Sequence, residues 1–122
     1  MIVEDEQSVA DALRIIMEDE GCDVSVAISG LDGLEQDARR EFDLAITDVN
    51  LPDVSGLEVL RRLRESSPPR PVIVITAHYT PEIVSAAKEH GALAVLPKPF
   101  FPSDIINLVR QVFSDMDGVS QG

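Results

Sequence analysis

Apolar residues along this chain come in short blocks whose spacing switches repeatedly between two kinds. Ile2 and Val3 open as a brief apolar strand. Val9, Leu13, Ile16 and Met17 then recur at helical spacing until Gly21 stops the helix. Asp23 to Ala27 reads as a second strand. Residues 31–40 form a weaker helix with Leu34 and Ala38 inward, entered through Ser29 and Gly30. LAIT at 44–47 is the third strand, and a helix from Gly56 to Glu65 places Leu57, Leu60 and Leu63 on one face. SSPPRP breaks the chain, and VIVI at 72–75 follows, β-branched and apolar at every position, as a parallel strand buried on both faces requires. Thr80 and Pro81 supply an N-cap and a first-turn proline for the next helix, and Gly91 closes it. A fifth strand at 93–96 and a helix from Pro102 to about Phe113, with Ile105, Leu108, Val109 and Val112 inward, complete the pattern.

Strands alternating with helices from end to end predict an α/β fold. The expected architecture is a doubly wound, five-stranded parallel sheet with five helices, because each right-handed crossover returns its helix over the sheet. A single domain is expected at 1–114, with 115–122 a polar C-terminal tail or the start of a linker.

Composition narrows the function. The chain has 122 residues, and 22 acidic residues against 10 basic ones give a net charge of −12. Such a surface repels phosphate backbones and anionic lipid, so direct nucleic-acid or membrane binding by this segment is not expected. The lone Cys22 has no partner for an internal disulfide, the first residues are acidic where a secretory leader is basic, and no apolar run nears a membrane span. The expected location is cytoplasmic.

Candidate chemistry follows from the order of the strands. In an open parallel α/β sheet, ligands bind beyond the carboxyl ends of the strands, where strand order reverses. Glu4 and Asp5 follow the first strand, Asp48 the third, Thr76 the fourth and Lys98 the fifth. With strand order 2-1-3-4-5, the first and third strands are neighbours, and Glu4, Asp5 and Asp48 converge beside one hydroxyl and one ammonium. Two carboxylates about 4 Å apart repel by roughly 4 kcal/mol at an effective dielectric near 20, so the cluster calls for a cation. Hard oxygens shared with phosphate favour Mg²⁺, and a carboxylate held against a phosphoryl group can act as a nucleophile. Taken singly, Glu4 and Asp5 also suit a helix entry and Asp48 a turn. Glu6 is assigned to the dipole at the helix start, as is His90 to a helix C-terminus, while Cys22 is read as structural and His78 as isolated.

The motifs IVEDE, ITDVNLPDVSG, VIVITA and GALAVLPKPF stand in this order at the strand ends. Together they resemble the receiver domain of bacterial two-component response regulators, over residues 1–114. The resemblance implies that Asp48 accepts a phosphoryl group from a sensor histidine kinase or phosphotransfer protein. It implies Mg²⁺ held by Asp5 directly, by Glu4 through water, by Asp48 and by the main-chain carbonyl of Asn50. It further implies that Thr76 and Lys98 contact the phosphoryl oxygens, and that the Lys98–Pro99 bond is cis. Control of an output domain or downstream protein, with possible homodimer formation on phosphorylation, comes with it, and Asn50 and His78 stand where the family tunes phosphoryl lifetime.

Three features depart from that family. Val95 replaces the usual aromatic three residues before the lysine, Phe101 stands near where an acid caps the last helix, and the first strand is a residue or two shorter than the family's. Phe100 and Phe101 are candidates for a contact patch. The competing class is a phosphorylation-independent interaction module that uses Val95, Phe100 and Phe101 constitutively. A flavin or nucleotide binder of the same topology is disfavoured, since acids after the first strand repel a phosphate.

Overall fold

The computed structural model describes residues 1–116, and the expected tail at 117–122 lies outside the described residues. In chain order the elements are β1 (Ile2–Val3), α1 (Gln7–Asp19), β2 (Val26–Ala27), α2 (Gly30–Arg39), β3 (Ala45–Asp48), α3 (Gly56–Glu65), β4 (Val72–Thr76), α4 (Pro81–Glu89), β5 (Ala94–Pro97) and α5 (Pro102–Met116). All pairings are parallel and the sheet order is β2-β1-β3-β4-β5.

Strand alternation divides the core into two halves. Ile2, Ile46, Ile73 and Ile75 pack with Leu13 and Met17 of α1 and with Ile105 and Val109 of α5. Val3, Ala45, Val72 and Val74 pack with Leu60 and Leu63 of α3 and Ala87 of α4. Successive strand residues face opposite sides, so covering both faces requires the unbroken apolar run seen at 72–75. Ser29 Oγ accepts from Asp32 N–H, Ser55 Oγ from Leu57 N–H and Thr80 Oγ1 from Ile83 N–H, so each of these helices opens on a hydroxyl cap. Gly21 and Gly91 take φ of +86° and +90° just past α1 and α4, a left-handed turn that glycine adopts without Cβ strain.

The differences from expectation are local. The second strand keeps only Val26–Ala27 of the expected Asp23–Ala27, because β1 offers two residues for it to pair with. β3 and β5 each end one residue later than expected, through Asp48↔Ile75 and Thr76↔Pro97. Ala38 is exposed rather than inward. α2 lies on the sheet through Gly33, where a Cβ would come within 2.9 Å of Val3 Cγ2, with Leu34 packed on the same half of the core, while Gly30 faces Val54 and Val59. α5 continues through Met116, past the expected helix end at about Phe113. A buried pair not expected from sequence joins α2 to the segment before β4: Arg70 Nε lies 2.8 Å from Asp37 Oδ1, and Ser66 Oγ donates to Asp37 Oδ2 at 3.0 Å. Among the described residues, no helix is long and apolar enough to cross a membrane.

Candidate functional site

Three strand ends meet at one edge of the sheet. Glu4 follows β1, Asp48 closes β3 and Thr76 closes β4, and all three are buried. Lys98 follows β5, with its N–H donating to the Thr76 carbonyl at 2.8 Å, which turns its side chain toward β3 and β1. The Lys98–Pro99 bond is cis. Lys98 Nζ then lies 2.8 Å from Asp48 Oδ2, 2.9 Å from Glu4 Oε1 and 3.2 Å from Glu6 Oε1.

These contacts differ in kind. The Asp48 contact is a hydrogen bond, and Asp48 Oδ1 also accepts from Asn50 N–H at 3.2 Å. Glu4 Oε2 accepts from Glu6 N–H at 3.1 Å. Glu4 Oε1 is close to the ammonium but outside hydrogen-bonding geometry, so this buried oxygen has a charge neighbour and no hydrogen bond. Burial, reinforced by the Asp48 charge, pushes the Glu4 carboxyl above its ordinary value, and contact with Lys98 only partly pulls it back. Burial also acts to lower the Lys98 ammonium, but the Asp48 hydrogen bond and the charges of Asp48 and Glu4 outweigh it and hold Lys98 firmly protonated.

The structure thus brings together Glu4, Asp48 and Lys98, with Thr76 alongside; Thr76 Oγ1 accepts from His78 N–H at 2.9 Å. It adds Glu6, whose carboxylate was assigned to the helix dipole. Glu6 precedes α1 without forming a side-chain cap, and its carboxylate instead joins Glu4 and Asp48, the three offering oxygens within 4.8 Å of one another. Asp5 is exposed and its carboxylate stands outside that trio. Asn50 is exposed at the start of the loop after β3. Of the two phenylalanines, Phe100 packs against the α1–α5 half of the core while Phe101 is 73% exposed, so they do not form one patch. His78 is exposed, His90 is the C-cap of α4, and Cys22 is half-buried.

Two further residues hold the loop that carries the site. Gly56 opens α3 directly beneath β3, with its N–H donating to the Val49 carbonyl at 2.8 Å; a Cβ there would sit 1.8 Å from the Asp48 carbonyl oxygen. Asp53 accepts from Gly30 N–H at 2.9 Å and Leu31 N–H at 2.8 Å, tying the loop to the first turn of α2. Gly56 was legible only as a helix start, and Asp53 only as a loop acid. Neither spacing nor composition reveals which backbone each will meet.

The Asp53 bonds hold its carboxyl at about 2, with the Leu31 N–H contributing most, against 3.8 unperturbed. A depressed carboxyl contributes stability that is complete above its unfolded value and lost as pH falls through the folded one. Asp53→Asn is therefore expected to lower the melting temperature above about pH 4, with the gap to wild type closing toward pH 2. Thermal unfolding followed by circular dichroism across that range checks this, and a pH-independent gap would contradict it.

The arrangement suits a hard cation. Its donors are carboxylate oxygens, one of them buried with no hydrogen bond, beside a carboxylate that one ammonium already contacts. Comparison with known proteins agrees with the geometry. The family model described as "Response regulator receiver domain" matches residues 1–110. An uncharacterized transcriptional regulatory protein, YkoG of Bacillus subtilis (strain 168), is 37% identical over 110 residues, covering 90% of this chain and 48% of that protein. The chain thus spans about half the length of the curated relatives it matches. The crystal structure of a CheY-like receiver domain protein from Methanospirillum hungatei JF-1 superposes with a TM-score of 0.89 at 28% identity, covering 98% of this chain and 95% of that one. The structure titled "BeF3 Activated DrrB Receiver Domain" superposes with a TM-score of 0.86 at 27% identity, covering 93% and 94%. With its strand order, its acidic site and these likenesses in agreement, the chain belongs to the receiver domain family of two-component response regulators.

Proposed function

We propose that this domain is a phosphoacceptor switch in which Asp48 takes a phosphoryl group from a phosphohistidine on a sensor histidine kinase or phosphotransfer protein. The observation that carries the reading is the Asp48 carboxylate itself, at the end of β3 with Lys98 Nζ 2.8 Å away and the buried Thr76 alongside. One Asp48 oxygen attacks phosphorus; the phosphorus–nitrogen bond to the imidazole breaks, its electron pair leaves with the ring nitrogen, and Asp48 becomes an acyl phosphate. Lys98 neutralises the phosphoryl oxygens, and Thr76 Oγ1 donates to them once its hydroxyl turns toward the site. Glu4, Asp5, Asp48 and the Asn50 carbonyl would hold Mg²⁺, with Asp5 turning inward to reach it. When bound, the ion offsets the negative charge on carboxylates and phosphoryl oxygens alike.

The similar DrrB receiver is titled as activated by BeF₃, which supports a switch of this kind. Val95 sits in the same half of the core as Ala87, Ile83 and Val84. Without an aromatic ring to turn inward, the readout runs through displacement of α4 or a change in self-association, on a surface read by an output domain or downstream protein in the cytoplasm. The added charge and acceptor oxygens on Asp48 bias that surface.

Incubation with a small acyl-phosphate donor and Mg²⁺, followed by intact-mass measurement, is expected to show one added phosphoryl group. Chelation of the metal and Asp48→Ala should each abolish it. An unmodified wild-type mass, or undiminished labelling of Asp48→Ala, overturns the proposal and favours the phosphorylation-independent interaction module.

A further inference from the structure

We infer that Glu6 is a positioning residue for Lys98, keeping its ammonium at the site when Mg²⁺ takes the Glu4 and Asp48 carboxylates. The inference rests on the Mg²⁺-dependent reading above. It starts from a shared seat: Lys98 Nζ contacts Glu4, Asp48 and Glu6 at 2.9, 2.8 and 3.2 Å. A divalent ion drawn to the hydrogen-bond-free Oε1 of Glu4 competes with the ammonium for two of those three carboxylates and repels it. The third carboxylate is different. Glu6 is 60% exposed at its side chain, and its backbone is fixed at the head of α1, where its carbonyl accepts from Val9 and Ala10 N–H. Its own N–H donates to Glu4 Oε2, so the two acids are held in register. Glu6 therefore retains Lys98 at the mouth of the site, within reach of the phosphoryl oxygens, while the buried acids turn to the metal. An aspartate at the same backbone position is one methylene shorter and loses the 3.2 Å contact while keeping the charge.

Isothermal titration of MgCl₂ into the domain tests this in wild type, Glu6→Gln, Glu6→Asp, Lys98→Met and the double variant Glu6→Gln/Lys98→Met. Both Glu6 variants are expected to raise the Mg²⁺ Kd about threefold, as loss of a partly exposed ion pair does. With Lys98→Met as the background, Glu6→Gln should leave the Kd unchanged, since the residue through which Glu6 acts is gone. An equal rise in both backgrounds would make Glu6 a metal ligand and overturn the inference. So would a wild-type Kd for Glu6→Asp, which would show that charge alone matters. If Lys98→Met does not fold, Lys98→Gln supplies the charge-free background in its place. Wild type that binds no Mg²⁺ defeats the metal-dependent reading, whereas normal Mg²⁺ binding without coupling between Glu6 and Lys98 defeats only this inference.

Discussion

Gly56→Ala is expected to lower the unfolding free energy by about 3 kcal/mol or more, beyond the usual cost of overpacking. Two effects oppose each other at this position. Gly56 lies in the first turn of α3 with ordinary negative φ, so helix propensity alone favours alanine by about 1 kcal/mol. Against this, the new Cβ would stand 1.8 Å from the Asp48 carbonyl oxygen and 2.8 Å from Val49 Cα. Those are backbone atoms, and Asp48 is locked in the β3–β4 ladder opposite Ile75. They cannot turn aside as the Val54 methyl beside Gly30 can. Relief requires α3 to lift away from the strand, which breaks the Gly56 N–H to Val49 bond and moves the loop after β3. Urea unfolding measures the loss, and a variant as stable as wild type would mean that propensity outweighs the clash.

Lys98→Met is expected to destabilise the metal-free domain by about 3 kcal/mol at neutral pH, because it removes the cation from two buried carboxylates. Methionine matches the length of the lysine stem, so the loss reports charge rather than packing. The pH dependence has a definite sign. Burial already raises the Glu4 carboxyl above 4.5, and losing Lys98 raises it further. A raised carboxyl binds more protons folded than unfolded, so stability falls as pH rises from about 4.5 toward neutrality. The deficit of Lys98→Met should therefore be largest at neutral pH and shrink near pH 5, and added Mg²⁺ should restore much of it. Phosphoryl transfer to Asp48 should slow by about a hundredfold or more with the positive charge gone. Denaturation curves at the two pH values and phosphorylation time courses check both, and unchanged stability would show that Lys98 does not offset the buried acids.

The fold was legible because burial leaves a periodic mark. β-branched residues at 72–75 could be buried on both faces only in a central strand, and Thr80, Pro81 and Gly91 marked α4 at both ends. Boundaries were less legible where pairing partners decide them. β2 is shorter than its apolar run because β1 offers two residues to pair with. Ala38 faces water because Gly33, not alanine, brings α2 onto the sheet.

The sequence by itself determined the alternation of strands and helices and the residues that stand at the strand ends, since both follow from local periodicity and chain order. Only the tertiary structure decided which carboxylates meet. It placed Glu6 rather than Asp5 beside Lys98, tied Asp53 to α2 across 22 residues, and set the Gly56 backbone against Asp48. Each of these depends on where a side chain or carbonyl points after distant segments pack, and packing distances at that scale have no period along the chain to betray them.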